Sequence, residues 1–165
     1  MPIPPYVAGL RSHVGTDLLW LPAVTGVVLD DDGRVLLGRR ADSGRWALVS
    51  GILDPGEEPA AGLAREVLEE TAVEVRVEAL AAVTTTPVIT YPNGDRSAYL
   101  DLCFVARPVS PAAAAAARVA DDESLEVAWF SVGALPDDVG PWTREHLALA
   151  ERYLAAPHDG AIFVR

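Results

Sequence analysis

The stretch SGILDPGEEPAAGLAREVLEETAV, Ser50 to Val73, leaves few folds open. Its second half carries the apolar period of a helix from about Pro59 to Thr71, with the proline suited to the first turn. At about 100° per residue, Leu63, Val67, Ala60, Ala64 and Leu68 gather on one arc, while Glu66, Glu69, Glu70 and Gly62 share the other. One face is therefore core and the other carboxylate. An amphipathic surface helix ordinarily has a charged face, and like charges at i,i+4 cost only about 0.2 to 0.5 kcal/mol per pair. Against that reading, the helix has no lysine, and the loop SGILDPGEE can fold its carbonyls and Glu57 toward the same side. Several carboxylate oxygens suit a hard divalent cation, and magnesium completes its octahedron with waters and phosphates. A solvated face and a Mg²⁺ site are the two readings.

The rest of the chain supplies partners for the apolar face. WLPAVTGVVLDDDGRVLLGRR reads as two strands around an Asp-Gly turn at Asp32-Gly33. ADSGRW is a loop and WALVS a short strand. VEVRVEALAAVTTT and RSAYLDLCFVARPV are long β-rich runs, linked through the hairpin signal Asn93-Gly94. The alanine tract near Ala112 to Ala117 reads as helix or linker, and a final helix is expected from Thr143 to Ala155. Strands interspersed with helices predict an α/β layered domain. The expected division is an N-terminal arm and helix over 1–20, one catalytic-size domain over 21–156 and a tail over 157–165.

With 165 residues the chain has room for one sizeable core. Its 13 basic residues against 24 acidic give a net charge of −11, which repels nucleic acid backbones and anionic membranes. No apolar run is long enough to span a membrane, and the N-terminus lacks a signal-peptide pattern, so a cytoplasmic location is expected. Cys103 sits in the apolar run YLDLCFVA and reads as a small buried hydrophobe. His13, His146 and His158 are scattered and suggest no zinc site.

Residues 51 to 73 resemble the signature of the Nudix (MutT-like) hydrolases. Gly51, Glu57, Arg65, Glu66, Val67, Glu69, Glu70 and Val73 match it in register. The resemblance extends loosely over GVVLDDDGRVLLGRRADSGRWALVSG and EVAWFSVGAL, and it implies a Nudix-type α/β/α sandwich with a central mixed β-sheet. The family's glycine near the end of the box is Ala72 here. Glycine there lets a helix stop in a left-handed turn, where alanine costs on the order of 1 to 2 kcal/mol, so the helix end can run differently. Val49 and Ser50 replace the usual residues before the box glycine.

By this resemblance, Glu66 and Glu70 are the principal Mg²⁺ ligands, Glu69 supports a second ion, and the Gly51 region contributes a carbonyl; Mn²⁺ can substitute. Arg65 is expected to pair with Glu57. The implied activity is hydrolysis of a diphosphate linkage in a nucleoside diphosphate joined to another group, such as an NTP, a dNTP or an ADP-ribose-like nucleotide sugar. Catalytic roles fall to Glu66, Glu69 and Glu123, with Glu69 and Glu123 as candidate general bases and Glu69 the more secure of the two. Arg39 or Arg40 is a candidate phosphate contact, and Tyr91, Tyr99 and Trp46 could stack on a base or pack in the core. The alternative is a nucleotide-binding sensor without turnover. The expected partner is a small-molecule nucleotide, not a nucleic acid polymer or a membrane. The apolar arm from Val7 to Trp20 packs either across a two-fold partner, giving a homodimer, or on its own domain.

Overall fold

The Asp32-Gly33 turn joins two strands that part company. In the computed structural model, which describes residues 4–157 and 160–164, β1 (Leu19–Val28) and β2 (Arg34–Arg40) are linked by one bridge, Leu29 to Val35. Gly33 takes the positive φ of 73° that the turn demands. Beyond the bridge the two strands enter different sheets. WALVS divides the same way: β3 (Trp46–Ala47) pairs with β2, whereas β4 (Val49–Ile52) pairs with β1, so the single expected strand is two.

The larger sheet is mixed. β1 lies between antiparallel β4 and parallel β7 (Arg96–Pro108), and β7 pairs antiparallel with β5 (Val75–Thr85). A short strand β6 (Ile89–Thr90) pairs with the start of β7 through the expected Asn93-Gly94 turn, where Gly94 has φ 88°. The segment expected as a tail is not only a tail, because β9 (Ile162–Phe163) pairs parallel with Ala82 and Val83 of β5. His158 lies outside the described residues. The second sheet places β2 between β3 and β8 (Ser124–Ser131).

Helices cover both faces. Along β1, Val24 and Val28 point one way and join Leu63 and Val67 of α2 (Pro59–Thr71), while Val27 points the other way and joins Leu147 and Ala150 of α4 (Pro141–Ala155). This alternation is the period of a strand buried on both sides. Gly26 allows the close approach of α2, since a Cβ there would stand 2.8 Å from Leu63 Cδ1. The α/β/α sandwich with a mixed sheet is thus the observed architecture. Its α4 starts already at Pro141, and the alanine tract forms only a short helix, α3 (Pro111–Ala115), capped by the Ser110 hydroxyl accepting from the Ala113 amide.

The arm forms α1 (Pro5–Val14) and packs on its own domain. Val7 is its buried residue. Arg11 Nη2 donates to the Arg96 carbonyl at 2.7 Å and to Ser97 Oγ at 3.0 Å, tying the helix to the start of β7. No described helix is long and apolar enough to cross a membrane.

Candidate active site

The acidic face of α2 lies against the edge strand β4, and Gly51 permits a close approach. A Cβ on residue 51 would stand 2.1 Å from the Glu66 carboxyl carbon and 2.2 Å from its Oε1, so the glycine leaves the space in which that carboxylate rests. Gly51 is a neighbour of Val24 in the β1 ladder, on the α2 side, whereas Ser50 and Ile52 project to the α4 side.

Arg65 organises the loop before the helix. Its Nε and Nη2 donate to Glu57 Oε1 and Oε2 at 2.8 and 2.9 Å, a two-pronged pairing of the kind that fixes geometry as well as charge. Glu57 Oε2 also accepts the Asp54 amide, and its carboxyl is held below the usual range chiefly by the Arg65 hydrogen bond. Arg65 Nη1 reaches on to Glu66 Oε1 at 3.0 Å and Glu69 Oε2 at 3.1 Å. The pairing of Arg65 with Glu57 is as expected; its reach to Glu66 and Glu69 was not.

Glu66 and Glu70 are half-buried one turn apart. Burial raises the Glu66 carboxyl above its ordinary range, with the charges of Glu69 and Glu123 adding and Arg65 opposing. Glu70 is pushed up to about 8, by burial first and then by Glu66, Glu123 and Asp121, against the pull of Arg40. Glu123 stands just before β8, its amide donating to Asp121 Oδ1 at 3.0 Å and its carbonyl accepting from the Ala41 amide at 2.8 Å. Burial and Asp121 raise its carboxyl as well. Glu69 is more exposed, at 56% of its side chain, and shares a shallow acidic depression with Asp121 and Glu123.

On the other face of the sheet a cavity of about 760 Å³ opens, within the range typical of small-molecule sites. Its floor is the outward row of β1 and β7, Leu21, Ala23 and Thr25 beside Ser97, Tyr99 and Asp101, and it reaches Ser50 and Gly51 at the β4 edge. Arg40 lines it and is within the field of Glu70 and Glu123, so it stands between cavity and carboxylates. Arg39 points elsewhere: its Nε donates to the Gly44 carbonyl and its Nη1 to Glu126. Tyr91 and Tyr99 line the cavity with their hydroxyls 2.7 Å apart, and Trp46 also contributes, although it is buried edge-on against Phe130.

A buried polar group inside this cavity escaped the sequence reading. Asp101 Oδ1 accepts from Thr25 Oγ1 at 2.7 Å and Oδ2 from His146 Nε2 at 2.7 Å, while His146 Nδ1 faces the Trp142 carbonyl at 2.8 Å. Both ring nitrogens face acceptors, which is the arrangement of an imidazolium. Burial opposes that charge, but the Asp101 hydrogen bond and charge outweigh it and raise the His146 pKa. The sequence signal was Asp101 inside an apolar run. Cys103, two positions on, is a buried thiol pushed up to about 12 by its surroundings.

The family profile described as NUDIX domain matches residues 19–150. The chain belongs to the Nudix family. It is 36% identical to a MutT-like protein of Streptomyces ambofaciens over 77% of this chain and 71% of that one. It is 30% identical to the human 8-oxo-dGDP phosphatase NUDT18 over 91% of this chain, which spans 43% of that longer protein. A solved NUDIX hydrolase from Nitrosomonas europaea superposes with a TM-score of 0.63 at 25% identity, over 81% of this chain and 90% of that one. It is accordingly a Nudix-type hydrolase acting on a diphosphate-containing substrate.

Nudix membership implies a divalent metal cofactor, typically Mg²⁺. Among the described residues, no three Asp, Glu, His or Cys side chains are already drawn together as a metal-holding group. The donor chemistry still fits a hard cation. Glu66 and Glu70 offer oxygens one helical turn apart, Glu66 rests in the space that Gly51 vacates, and burial first, then the neighbouring carboxylates, keep both carboxyls above their ordinary range. Ala72 does not disturb this helix: it adopts φ 56° and ψ 17°, its amide donating to Leu68, so α2 ends in the left-handed turn that a glycine would make.

Proposed function

We propose that this Nudix hydrolase cleaves a diphosphate linkage in a nucleoside diphosphate joined to another group, with Mg²⁺ held by Glu66 and Glu70 and assisted by Glu69 and the Gly51 carbonyl. The observation that carries the reading is the meeting of two unlike surfaces at β4: carboxylates on the α2 side, a largely apolar cavity on the α4 side, and Arg40 between them. A nucleotide has the same polarity, an anionic chain at one end and a planar, mostly apolar base at the other. Bound Mg²⁺ supplies neutralisation of phosphate oxygens and a more acidic water.

The chain's own residues do the rest. Arg40, restrained by Asp42 at 2.5 and 3.0 Å, receives phosphate oxygen. Arg39 is not assigned this role, because its guanidinium turns to Gly44 and Glu126, whereas Arg40 lines the cavity. Tyr91, Tyr99 and Trp46 face the nucleoside. A carboxylate takes the proton of the attacking water as its oxygen bonds to phosphorus and the bridging P–O bond breaks. Glu123 is the better placed base: its charge is felt by both Glu66 and Glu70, and its raised pKa suits a group that must hold a proton in the transition state. Glu69 is occupied by Arg65.

The test is Mg²⁺-dependent release of phosphate or nucleoside monophosphate from a panel containing NTPs, dNTPs, ADP-ribose and, because of the human relative, 8-oxo-dGDP. Activity abolished by chelator and restored by Mg²⁺ or Mn²⁺ is expected. Binding without turnover on the whole panel would instead favour a sensor. Glu123→Gln should lower turnover by about 10² or more, with KM nearly unchanged, and Glu69→Gln should be milder. The reverse ranking moves the base to Glu69.

A further inference from the structure

The family match begins at residue 19, yet the cavity does not stop there. Pro4, Val7 and Arg11 of the arm also line it, and the bonds from Arg11 to Arg96 and Ser97 put α1 at its far end, beside the starts of β7 and β1. Along β1, the step from Thr25 beside Ser50 to Leu21 beside Tyr99 covers about 13 Å, so the cavity floor is roughly a nucleoside long. The lining changes over that distance from Arg40, Asp42 and Ser50 to Leu21, Tyr99 and Val7.

We propose that α1, an element outside the Nudix match, is the wall that receives the nucleobase, and that Val7 is a specificity-determining contact. This rests on the nucleotide reading above. Val7 lines the cavity and, at 5% exposed, is the buried residue of α1, so it is the apolar side chain that this helix packs against the cavity wall. What keeps the helix there is Arg11. Its Nη1 donates to the carbonyls of Gly15 and Asp17 at 3.1 and 2.5 Å, its Nη2 to Arg96 and Ser97, and its Nε faces Asp95 at 3.5 Å. With its terminal nitrogens committed to the chain and its side chain 9% exposed, Arg11 is a clamp on the wall and not an anion site. Arg40 is left to take phosphate, which fixes the orientation: anionic chain at β4, planar base against Tyr99, Leu21 and Val7.

The experiment titrates the four common nucleoside 5′-monophosphates, and ribose 5-phosphate as the base-free control, into the full chain by calorimetry in the presence of Mg²⁺. Wild type, Val7→Trp and Val7→Ala are compared, and turnover of the wild type on the nucleotide panel is measured beside them. At least one nucleotide is expected to bind wild type about tenfold or more tighter than ribose 5-phosphate. Val7→Trp fills the far end and should weaken that nucleotide about tenfold or more, with ribose 5-phosphate within about threefold. Val7→Ala should weaken the nucleotide about threefold and keeps the test valid if the tryptophan variant fails to fold. Equal losses for both ligands, unchanged nucleotide affinity in the folded variants, or a wild type with no preference for a base would each overturn the wall. Absence of wild-type turnover with the base preference intact would overturn the hydrolase reading and leave the wall standing.

Discussion

Gly51→Ala separates the site from the fold. The substitution asks nothing unusual of the backbone, because Gly51 is not among the glycines with positive φ. What it adds is one methyl group 2.1 Å from the Glu66 carboxyl carbon. Non-bonded carbons settle at about 3.5 to 4.0 Å, so the carboxylate must retreat by roughly 1.5 Å. It can do so by turning about its own side-chain bonds, since the atoms displaced, Cγ, Cδ and Oε1 of Glu66, all belong to one flexible side chain. Its known tether, the 3.0 Å contact with Arg65, can follow it. The melting temperature of the metal-free protein should therefore move little. Turnover should not survive as well, for a misplacement of about 1 Å in a catalytic constellation can cost about 10²-fold. The assay is Mg²⁺-dependent hydrolysis on the best substrate of the panel, with thermal unfolding in chelator as the control for folding. Activity within threefold of wild type would refute the role given to the Glu66–Gly51 contact, and loss of activity with a collapse in melting temperature would show that the glycine serves packing instead.

Three further outcomes are expected. Glu70→Gln should cut turnover by about 10² or more at saturating Mg²⁺; in the metal-free protein, where the Glu70 carboxyl is pushed up to about 8, the native state holds a proton that the unfolded state releases near about pH 4.3, so wild-type stability falls as pH rises through that window and the variant should lack this slope in thermal melts. His146→Gln should cost most stability below about pH 6.5, because a raised folded pKa gives a contribution fully present below the unfolded value and lost as pH rises through the folded one; a gap between the two melting curves that is constant with pH would contradict the ion pair with Asp101. Ala72→Gly should stabilise the protein by about 1 kcal/mol in denaturant titration, by relieving the φ of 56°, and a destabilisation would mean that the alanine methyl is worth more than the strain.

The elements legible in the sequence were those with a strong local cause. α2 runs from Pro59 to Thr71 as its apolar period and N-terminal proline require, and the Asn93-Gly94 and Asp32-Gly33 turns form where a positive φ was available. What local pattern could not supply was which strands pair. The Asp32-Gly33 turn has the signature of a hairpin, but β1 is buried on both faces and gains more from β4 and β7 than from staying with β2. The split of WALVS at Leu48 has the same origin, since Trp46 and Val49 are drawn into different sheets. Ile162 and Phe163 carry too short a pattern to read as a strand without the edge of β5 beside them.

The candidate site divides along the same line. The carboxylates of α2 were readable because a single helix places them, and their spacing alone sets the face they share. Arg39 and Arg40 were not separable, because strand alternation says only that they point oppositely, and a register shift between them changes which way each one faces. The Asp101–His146 pair was hidden for a different reason. A lone aspartate in an apolar strand and a lone histidine on an amphipathic helix each have ordinary explanations, and only tertiary packing brings them to 2.7 Å. Once joined, they explain each other: a charge in an apolar strand is tolerable when a cation, a threonine hydroxyl and a backbone carbonyl complete it, as Thr25 and Trp142 do here. The pair therefore belongs to the cavity's architecture, holding the start of α4 over the sheet face that the proposed nucleoside would cover.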